Sequence, residues 1–336
     1  MINKNKQILT DSLGRNHSYL RISLIERCNL RCSYCMPFNG IPFTPKKKLM
    51  NADEINNISS FFVKNGVDKI RLTGGEPLLR KDFKEIVSKI SFLKTKISLT
   101  SNAILIDRYL SFLKKTKKLS INISLDTLSK RKFKEITLRD KFDEVYNNIL
   151  LLIKNGFRVK INVVLIRGFN DNEINDFINF ASEFGVMVRF IEFMPFSGNK
   201  WDKSKCVSQE EIIDKIKNYY GQNSITPLVN KKNYIAREFR INCIGVNFGI
   251  ISSVSNPFCD GCNRIRLTAN GRIKNCLFSN NEIDLLTPLR EGKPIDRLVE
   301  QVIKNKLPVR AGMDKPEKLN NPKFHLNNRS MIAIGG

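Results

Sequence analysis

The chain of 336 residues is long enough for one large or two ordinary domains with a substantial core. Its 41% hydrophobic and 26% charged residues exclude a disordered chain, no apolar run approaches a membrane span, and the polar Met1–Arg15 lacks a signal-peptide core, so a soluble, unexported, cytoplasmic protein is expected. The net charge of +25 calls for an anionic partner (nucleic acid, an acidic membrane or a phosphorylated small molecule), but the lysines fall in scattered short runs such as Lys46-Lys47-Lys48 and read mainly as compositional drift.

Residues 1–18 read as an N-terminal segment, and from 19 to 195 strand and helix patterns alternate. The first strand pattern, Tyr19–Ile25, runs straight into Cys28. A helix over Ala52–Lys64 leads to a strand over Lys69–Thr73 that stops at Gly74-Gly75. A helix over Asp82–Leu93 precedes the strand Lys96–Thr100, which stops at Ser101-Asn102. Then come a helix over Asp107–Lys114, a strand over Leu119–Leu125 stopping at Asp126, and a helix over Phe142–Asn155. A strand over Arg158–Ile166, a helix over Asp171–Phe184 and a strand over Met187–Phe193 complete the series. Gly66, Gly156 and Gly185 follow helices, as left-handed C-terminal caps do. Strands alternating with helices imply a parallel sheet. The fold class is therefore α/β, a partial, incomplete TIM-type (βα)6 barrel, and the strand C-terminal ends should carry the chemistry. After Pro195 the rhythm changes to a loop (Phe196–Lys205), a helix (Gln209–Tyr219) and short strands (Tyr234–Phe239, Phe248–Ser252). Residues 196–320 are expected as a C-terminal region closing the barrel, and 321–336 as a flexible tail ending in Gly335-Gly336.

The eight cysteines cluster, three within Cys28–Cys35 and three within Cys259–Cys276, leaving Cys206 and Cys243 to read as buried structural thiols. Clustered cysteines in an unexported protein point to metal or redox chemistry rather than a disulfide scaffold. Cys28, Cys32 and Cys35 form C-x3-C-x2-C, and thiolates at this spacing suit zinc or an iron–sulfur cluster. Structural zinc wants four closed ligands, and the only histidines are the distant His17 and His325. A [4Fe–4S] cluster on three cysteines leaves one iron open for a ligand. Cys259, Cys262 and Cys276 form C-x2-C-x13-C with no evident fourth ligand. A second open cluster is the better account there, with zinc completed by Cys243 as the alternative. Arg264 and Arg266, two apart, share one face of an extended segment, either as substrate contacts or as a solvated basic face. Two glycines at Gly74-Gly75 let backbone approach a ligand, and the Glu76 carboxylate beside them could accept from an ammonium.

The C-x3-C-x2-C pattern, with Tyr34 before its last cysteine, resembles the signature of the radical S-adenosylmethionine (SAM) superfamily, and Gly74-Gly75-Glu76-Pro77 resembles that family's motif for the SAM amino group. With the second trio and Gly335-Gly336, the chain resembles the GTP 3′,8-cyclase (molybdenum cofactor biosynthesis protein A) family over nearly its whole length. The matching segments include Leu20–Ser23, Cys28–Pro37, Ile70–Arg80, Ile121–Asp126, Arg189–Met194 and Phe258–Leu267. Ala103, where the family usually has Gly, is a mild departure.

The resemblance implies two [4Fe–4S] clusters and SAM as cofactors. Cys28, Cys32 and Cys35 would hold the SAM cluster, and Cys259, Cys262 and Cys276 an auxiliary cluster that binds guanine. It implies SAM contacts at Tyr34, Gly75, Ser124 and Met194, Tyr34 and Met194 through the backbone. GTP contacts would fall at Arg21, Arg71, Thr100, Lys160, Arg264 and Arg266, with Lys69 and Arg189 as weaker candidates for the triphosphate. Thr100 and Ser124 also fit strand-end residues that bond their own turns. The implied reaction abstracts the ribose 3′ hydrogen of GTP through a deoxyadenosyl radical and closes C3′ onto C8. Cys28, Cys32, Cys35, Arg264 and Arg266 are its catalytic residues on this reading. The implied partners are an electron donor protein and a cyclic pyranopterin monophosphate synthase that takes the product, with a homodimer as one option and neither membrane nor nucleic acid. Two rival readings are a radical SAM enzyme acting on a peptide and a zinc-stabilised nucleic-acid-binding protein.

Overall fold

The computed structural model describes residues 8–37, 39–116, 119–229, 233, 235–325 and 327–335. Tyr234, which opens one expected strand, and Gly336 of the expected tail lie outside them. In chain order the elements are β1 (Tyr19–Ser23), α1 (Ala52–Lys64), β2 (Lys69–Thr73), α2 (Phe83–Ser91), β3 (Lys96–Ser101), α3 (Ile106–Lys115), β4 (Ser120–Ser124), α4 (Lys130–Thr137), α5 (Phe142–Lys154), β5 (Val159–Leu165), α6 (Ile174–Phe184) and β6 (Met187–Glu192). The C-terminal region adds α7 (Gln209–Tyr220), β7 (Ile225–Pro227), β8 (Arg237–Ile241), β9 (Val246–Ile251), β10 (Arg264–Leu267), β11 (Arg272–Lys274), β12 (Ile283–Asp284), α8 (Leu286–Arg290), α9 (Asp296–Lys304), α10 (Pro316–Asn320) and α11 (Met331–Ile334).

The strands form one sheet of 12 in the order β12-β11-β10-β1-β2-β3-β4-β5-β6-β9-β8-β7. Pairing is parallel from β10 through β6 to β9, so the βαβ series forms the middle of the sheet in sequence order. The C-terminal region contributes one parallel strand to each edge, β9 beside β6 and β10 beside β1, with antiparallel strands beyond them.

Alternation along the strands explains this architecture. On β1, Leu20 and Ile22 are fully buried toward the helices while Tyr19, Arg21 and Ser23 face the other way. On β5 the apolar set is Val159, Ile161, Val163 and Leu165, leaving Lys160 and Asn162 on the opposite face. In an ordinary TIM barrel the inward positions are branched apolar residues that fill the core. Here they are polar and charged, so the concave face is a site rather than a core.

The helices begin and end where their chemistry directs. Asn51 caps α1 by accepting from Glu54 N at 2.9 Å, and the Glu54 carboxylate accepts from Asn51 N at 2.7 Å. Gly185 ends α6 in the left-handed region, at φ +63°. The helix α4 has no counterpart among the expected elements. It is short, and it stops at Leu138 in a left-handed conformation (φ +54°) with no glycine to announce it. Cys206 is buried as expected, whereas Cys243 is exposed in the turn between β8 and β9, a correction. The four-residue turn 242–245 projects from the hairpin and leaves Cys243 open to solvent. The expected flexible tail also needs correction, because Ile332, Ala333 and Ile334 of α11 are buried. Their apolar side chains dock α11 on the body of the protein. No helix among the described residues is long and apolar enough to cross a membrane.

Candidate active site

The first thiol trio sits on the loop after β1, at the C-terminal rim of the sheet. Arg31 N and Ser33 N donate to the Thr137 and Ile136 carbonyls at 2.9 and 3.0 Å, so α4 holds this loop in place. Cys28, Cys32 and Cys35 line a cavity of about 230 Å³. Gly74, Gly75, Ser124, Met194 and Tyr34 line it as well, bringing all four expected SAM positions to the same cavity as the trio. Tyr34 Oη donates to Asp126 Oδ2 at 2.6 Å, and Asp126 Oδ1 accepts from Val164 N at 2.8 Å. Burial pushes Asp126 up to about 6 against those two bonds. The Met194 carbonyl already accepts from Asn199 Nδ2 at 2.8 Å.

Glu76 itself is not among the residues that line this cavity. It is fully buried and accepts from Leu78 N, Ser101 Oγ and Asn102 N at 3.0, 3.0 and 2.8 Å. Its carboxylate therefore ties the end of β2 to the end of β3 and is turned from the cavity. The glycines serve close packing: a Cβ on Gly75 would lie 2.2 Å from the Arg27 carbonyl oxygen, and one on Gly74 2.5 Å from that of Ile25.

The second trio falls at the opposite end of the barrel. Cys262 lies just before β10, which runs parallel to β1, and Cys276 lies just after β11, which returns antiparallel. Both are thus at the N-terminal rim, where Tyr19 N donates to the Asn263 carbonyl at 3.1 Å. Cys259, Cys262 and Cys276 line a smaller cavity of about 50 Å³. The two cavities share Arg264, Arg266, Ser253 and Leu277, so these residues stand between the trios.

Between them stands a cluster of cations. The register places Arg266 of β10 beside Arg21 of β1, and Arg21 beside Arg71 of β2. Like charges directly opposite each other across strands destabilise a sheet. Burial comes first, and Arg266, Arg71 and Arg264 among its neighbours help hold Arg21 well below the usual guanidinium range. Arg266 is brought down to about 9, by burial and then by Arg264. Arg71 Nη1 donates to Thr100 Oγ1 at 3.1 Å, while its buried Nε has no hydrogen-bond partner among the described residues. Arg189, Arg71, Arg21 and Thr100 line the larger cavity. Lys69 and Lys160 do not line it, although both feel the charges of Arg71 and Arg189. Arg189 approaches Glu238 at 3.9 Å. A strongly anionic ligand is what such a buried cation set can answer.

Three inward residues were not singled out from sequence. Tyr19 lies under the cations, with Lys69 Nζ 4.7 Å above its ring. Asn162 lines the cavity with its buried Oδ1 unpartnered among the described residues. Lys306 Nζ lies 3.3 Å from Cys262 Sγ. Tyr19 and Asn162 each stand two residues from a noted cation on the same strand face, so period-two reading would have found them. Lys306 follows a helix far along the chain and carries no such signal.

The thiol trios suit iron–sulfur clusters by the chemistry of their donors. Each set is sulfur alone, soft and lining a space. Among the described residues no three His, Cys, Asp or Glu side chains converge as one metal ion would need. Burial and then the charge of Glu76 push Cys28 up to about 12, so the thiolate form needs a bound cation beside it. Cys262 differs: burial raises it, but Arg264 and Lys306 outweigh burial and bring it down to about 6.

Residues 22–181 match the Radical SAM superfamily and residues 186–311 match Molybdenum Cofactor Synthesis C. The chain is 38% identical over 340 residues to GTP 3′,8-cyclase of Peptoclostridium acidaminophilum, covering 99% of both. It is 43% identical over 333 residues to the mitochondrial GTP 3′,8-cyclase of Arabidopsis thaliana, covering 96% of this chain and 84% of that one. It is also 43% identical over 332 residues to molybdenum cofactor biosynthesis protein 1 of Bos taurus, where 97% of this chain spans only 51% of the relative, about half its length. The fold is shared with SuiB of Streptococcus suis bound to S-adenosylmethionine, at a TM-score of 0.61, 18% identity, and coverage of 81% of this chain and 65% of that one. Radical SAM membership makes SAM and [4Fe–4S] clusters the cofactors of this fold. By its sequence identity along nearly the whole chain, this protein belongs to the GTP 3′,8-cyclase family of the radical SAM superfamily.

Proposed function

We propose that this chain converts GTP to (8S)-3′,8-cyclo-7,8-dihydroguanosine 5′-triphosphate, the reaction for which its relatives are named. The observation that carries this reading is the laterally registered row Arg266–Arg21–Arg71, buried between two thiol trios. Cys28, Cys32 and Cys35 would hold the SAM cluster, and Cys259, Cys262 and Cys276 the auxiliary one. When bound, these cofactors supply the electron transfer and the hydrogen abstraction at the ribose, which no side chain can perform.

The side chains bind, orient and exclude water. Gly75, Ser124, Tyr34 and Met194 would take SAM along the C-terminal rim. Arg21, Arg71 and Thr100, with Lys160, would take GTP phosphate and sugar, and Arg264 and Arg266 would hold the guanine end by the second trio. Lys69 and Arg189 are further contacts for the triphosphate. Fixing GTP between the rims converts a bimolecular encounter into an oriented one. The same reading gives the product to a cyclic pyranopterin monophosphate synthase, draws electrons from a donor protein, allows a homodimer and keeps the chain in the cytoplasm. A peptide substrate or a nucleic acid would leave the registered arginines without an anion inside the barrel.

Anaerobic reconstitution tests this. About eight irons per chain and no zinc are expected, with GTP-dependent product. Arg266→Ala is expected to lower GTP turnover about 10- to 100-fold, the worth of a charged hydrogen bond of roughly 1.5–3 kcal/mol. SAM cleavage without GTP should persist in that variant. Equal loss of both activities would count against a substrate role, and a colourless, zinc-filled protein would overturn the whole reading.

A further inference from the structure

Lys306 follows α9 and is 4% exposed. Its ammonium has three hydrogens and meets three acceptors: His17 Nε2 at 2.8 Å, the Arg264 carbonyl at 3.2 Å and Cys262 Sγ at 3.3 Å. His17 is fully buried, and its Nδ1 lies 3.0 Å from the Leu9 carbonyl. A carbonyl only accepts, so Nδ1 carries the ring hydrogen and Nε2 turns its lone pair to Lys306. Asp11 Oδ2 stands 3.8 Å from the same ring nitrogen and is itself held by Arg15 at 2.6 Å. Arg15 also donates to the Cys259 carbonyl at 3.0 Å, which braces the second cysteine loop from the same side.

Among the described residues no carboxylate lies within ion-pair distance of Lys306. A buried ammonium without a carboxylate needs another anion, and the sulfur it touches is the group that can supply one. Arg264 beside it is itself a cation, and the groups that offset the ammonium are the sulfurs of Cys262, which it touches, and Cys276.

We propose that Lys306 is a positioning residue for the second cluster, donating a hydrogen bond to Cys262 Sγ that raises the cluster's one-electron reduction potential. This rests on the proposed function above. One electron added to the cluster, with no proton taken up, places extra negative charge on its sulfurs. A fixed donor stabilises that reduced state, and hydrogen bonds to sulfur are among the factors that set such potentials. His17 is the aiming device: it fixes one ammonium hydrogen so that another points at Cys262.

The test uses the full chain, reconstituted anaerobically and reduced stepwise with dithionite while paramagnetic resonance follows both clusters. The SAM cluster is recognised as the signal that changes when SAM is added. In Lys306→Met the SAM-insensitive signal is expected to become about tenfold harder to reduce, about 59 mV for one electron. The SAM-sensitive signal should not move. Lys306→Arg, which keeps a donor, should stay nearer the parent, and His17→Phe should shift the same signal in the same direction by less. An unshifted second signal in Lys306→Met, with iron content unchanged, overturns the proposal. Should Lys306→Met lose the second cluster, His17→Phe decides: a lowered potential supports the proposal and an unchanged one overturns it. A parent chain that takes up no iron at the second trio is a separate failure, read from iron content alone, and overturns the underlying reading together with this one.

Discussion

Burial, and next the guanidinium of Arg189, bring the Lys160 ammonium down to about 8, with Glu238 pulling the other way. A cation so depressed is charged below that value and neutral above it. If Lys160 meets the triphosphate, KM for GTP should climb as pH rises through about 8. Lys160→Met should show a KM about tenfold higher near neutral pH, the loss of one charged hydrogen bond, and a weaker rise above pH 8. Initial rates across a GTP series at each pH measure both. An identical pH profile in the two chains would remove Lys160 from the site. The cysteine sulfurs show the same sensitivity to neighbours. Cys28 Sγ accepts from Leu30 N at 3.4 Å and Asn102 Nδ2 at 3.6 Å, both neutral donors, whereas Cys262 meets an ammonium. The two thiol trios are thus built for different electrostatic surroundings.

Two elements, the cysteine loop and the turn after β2, interlock through backbone alone. Gly75 N donates to the Ile25 carbonyl at 2.7 Å and Glu76 N to that of Arg27 at 2.8 Å. A Cβ on Gly75 would lie 2.2 Å from the Arg27 carbonyl oxygen and 2.9 Å from that of Glu26, so Gly75→Ala must part the two elements. That variant is expected to lose the first cluster and keep the second, halving the iron to about four per chain, with overpacking strain of about 1–3 kcal/mol. Full iron content would show that the loops tolerate separation. Much of this level was legible beforehand. The strand–helix alternation of 19–195, the grouping of six cysteines into two trios and the shared face of Arg264 and Arg266 all follow from period-two alternation and spacing. The helix α4 was not legible, because an eight-residue segment as basic as Lys130–Thr137 buries only Phe133, Ile136 and Thr137 and ends at a non-glycine. Nor was the burial of Glu76 between the ends of β2 and β3, since a carboxylate after two glycines looks the same whether it caps a turn or faces a ligand. The register that aligns Arg266, Arg21 and Arg71 depends on β10 crossing to the far edge of the sheet, which local patterns do not encode.

At the scale of the molecule, the sheet's direction decides which chemistry lies where. The loop after β1 brings one trio to the C-terminal rim, while β10 and β11 bring the other to the N-terminal rim. The inward polar faces of the strands between them line the larger cavity, and Met331 of α11 lines it too. Arg266 Nη1 donates to the Gly335 carbonyl at 2.6 Å, and a Cβ on Gly335 would lie 2.6 Å from Thr73 Cγ2. Gly335 adopts φ +74°, a conformation suited to glycine, so both space and backbone favour it at this position. The two rims should be separable. Replacing Cys28, Cys32 and Cys35 together by Ala is expected to abolish SAM cleavage, leave about four irons and preserve GTP binding. Replacing Cys259, Cys262 and Cys276 should do the reverse: SAM cleavage with a chemical reductant persists, while GTP binding weakens at least tenfold. Iron analysis, equilibrium GTP binding and release of 5′-deoxyadenosine report the three quantities independently. If each triple variant lost both activities while retaining its remaining irons, the trios would serve a single coupled site, and the division of labour between the rims would be wrong.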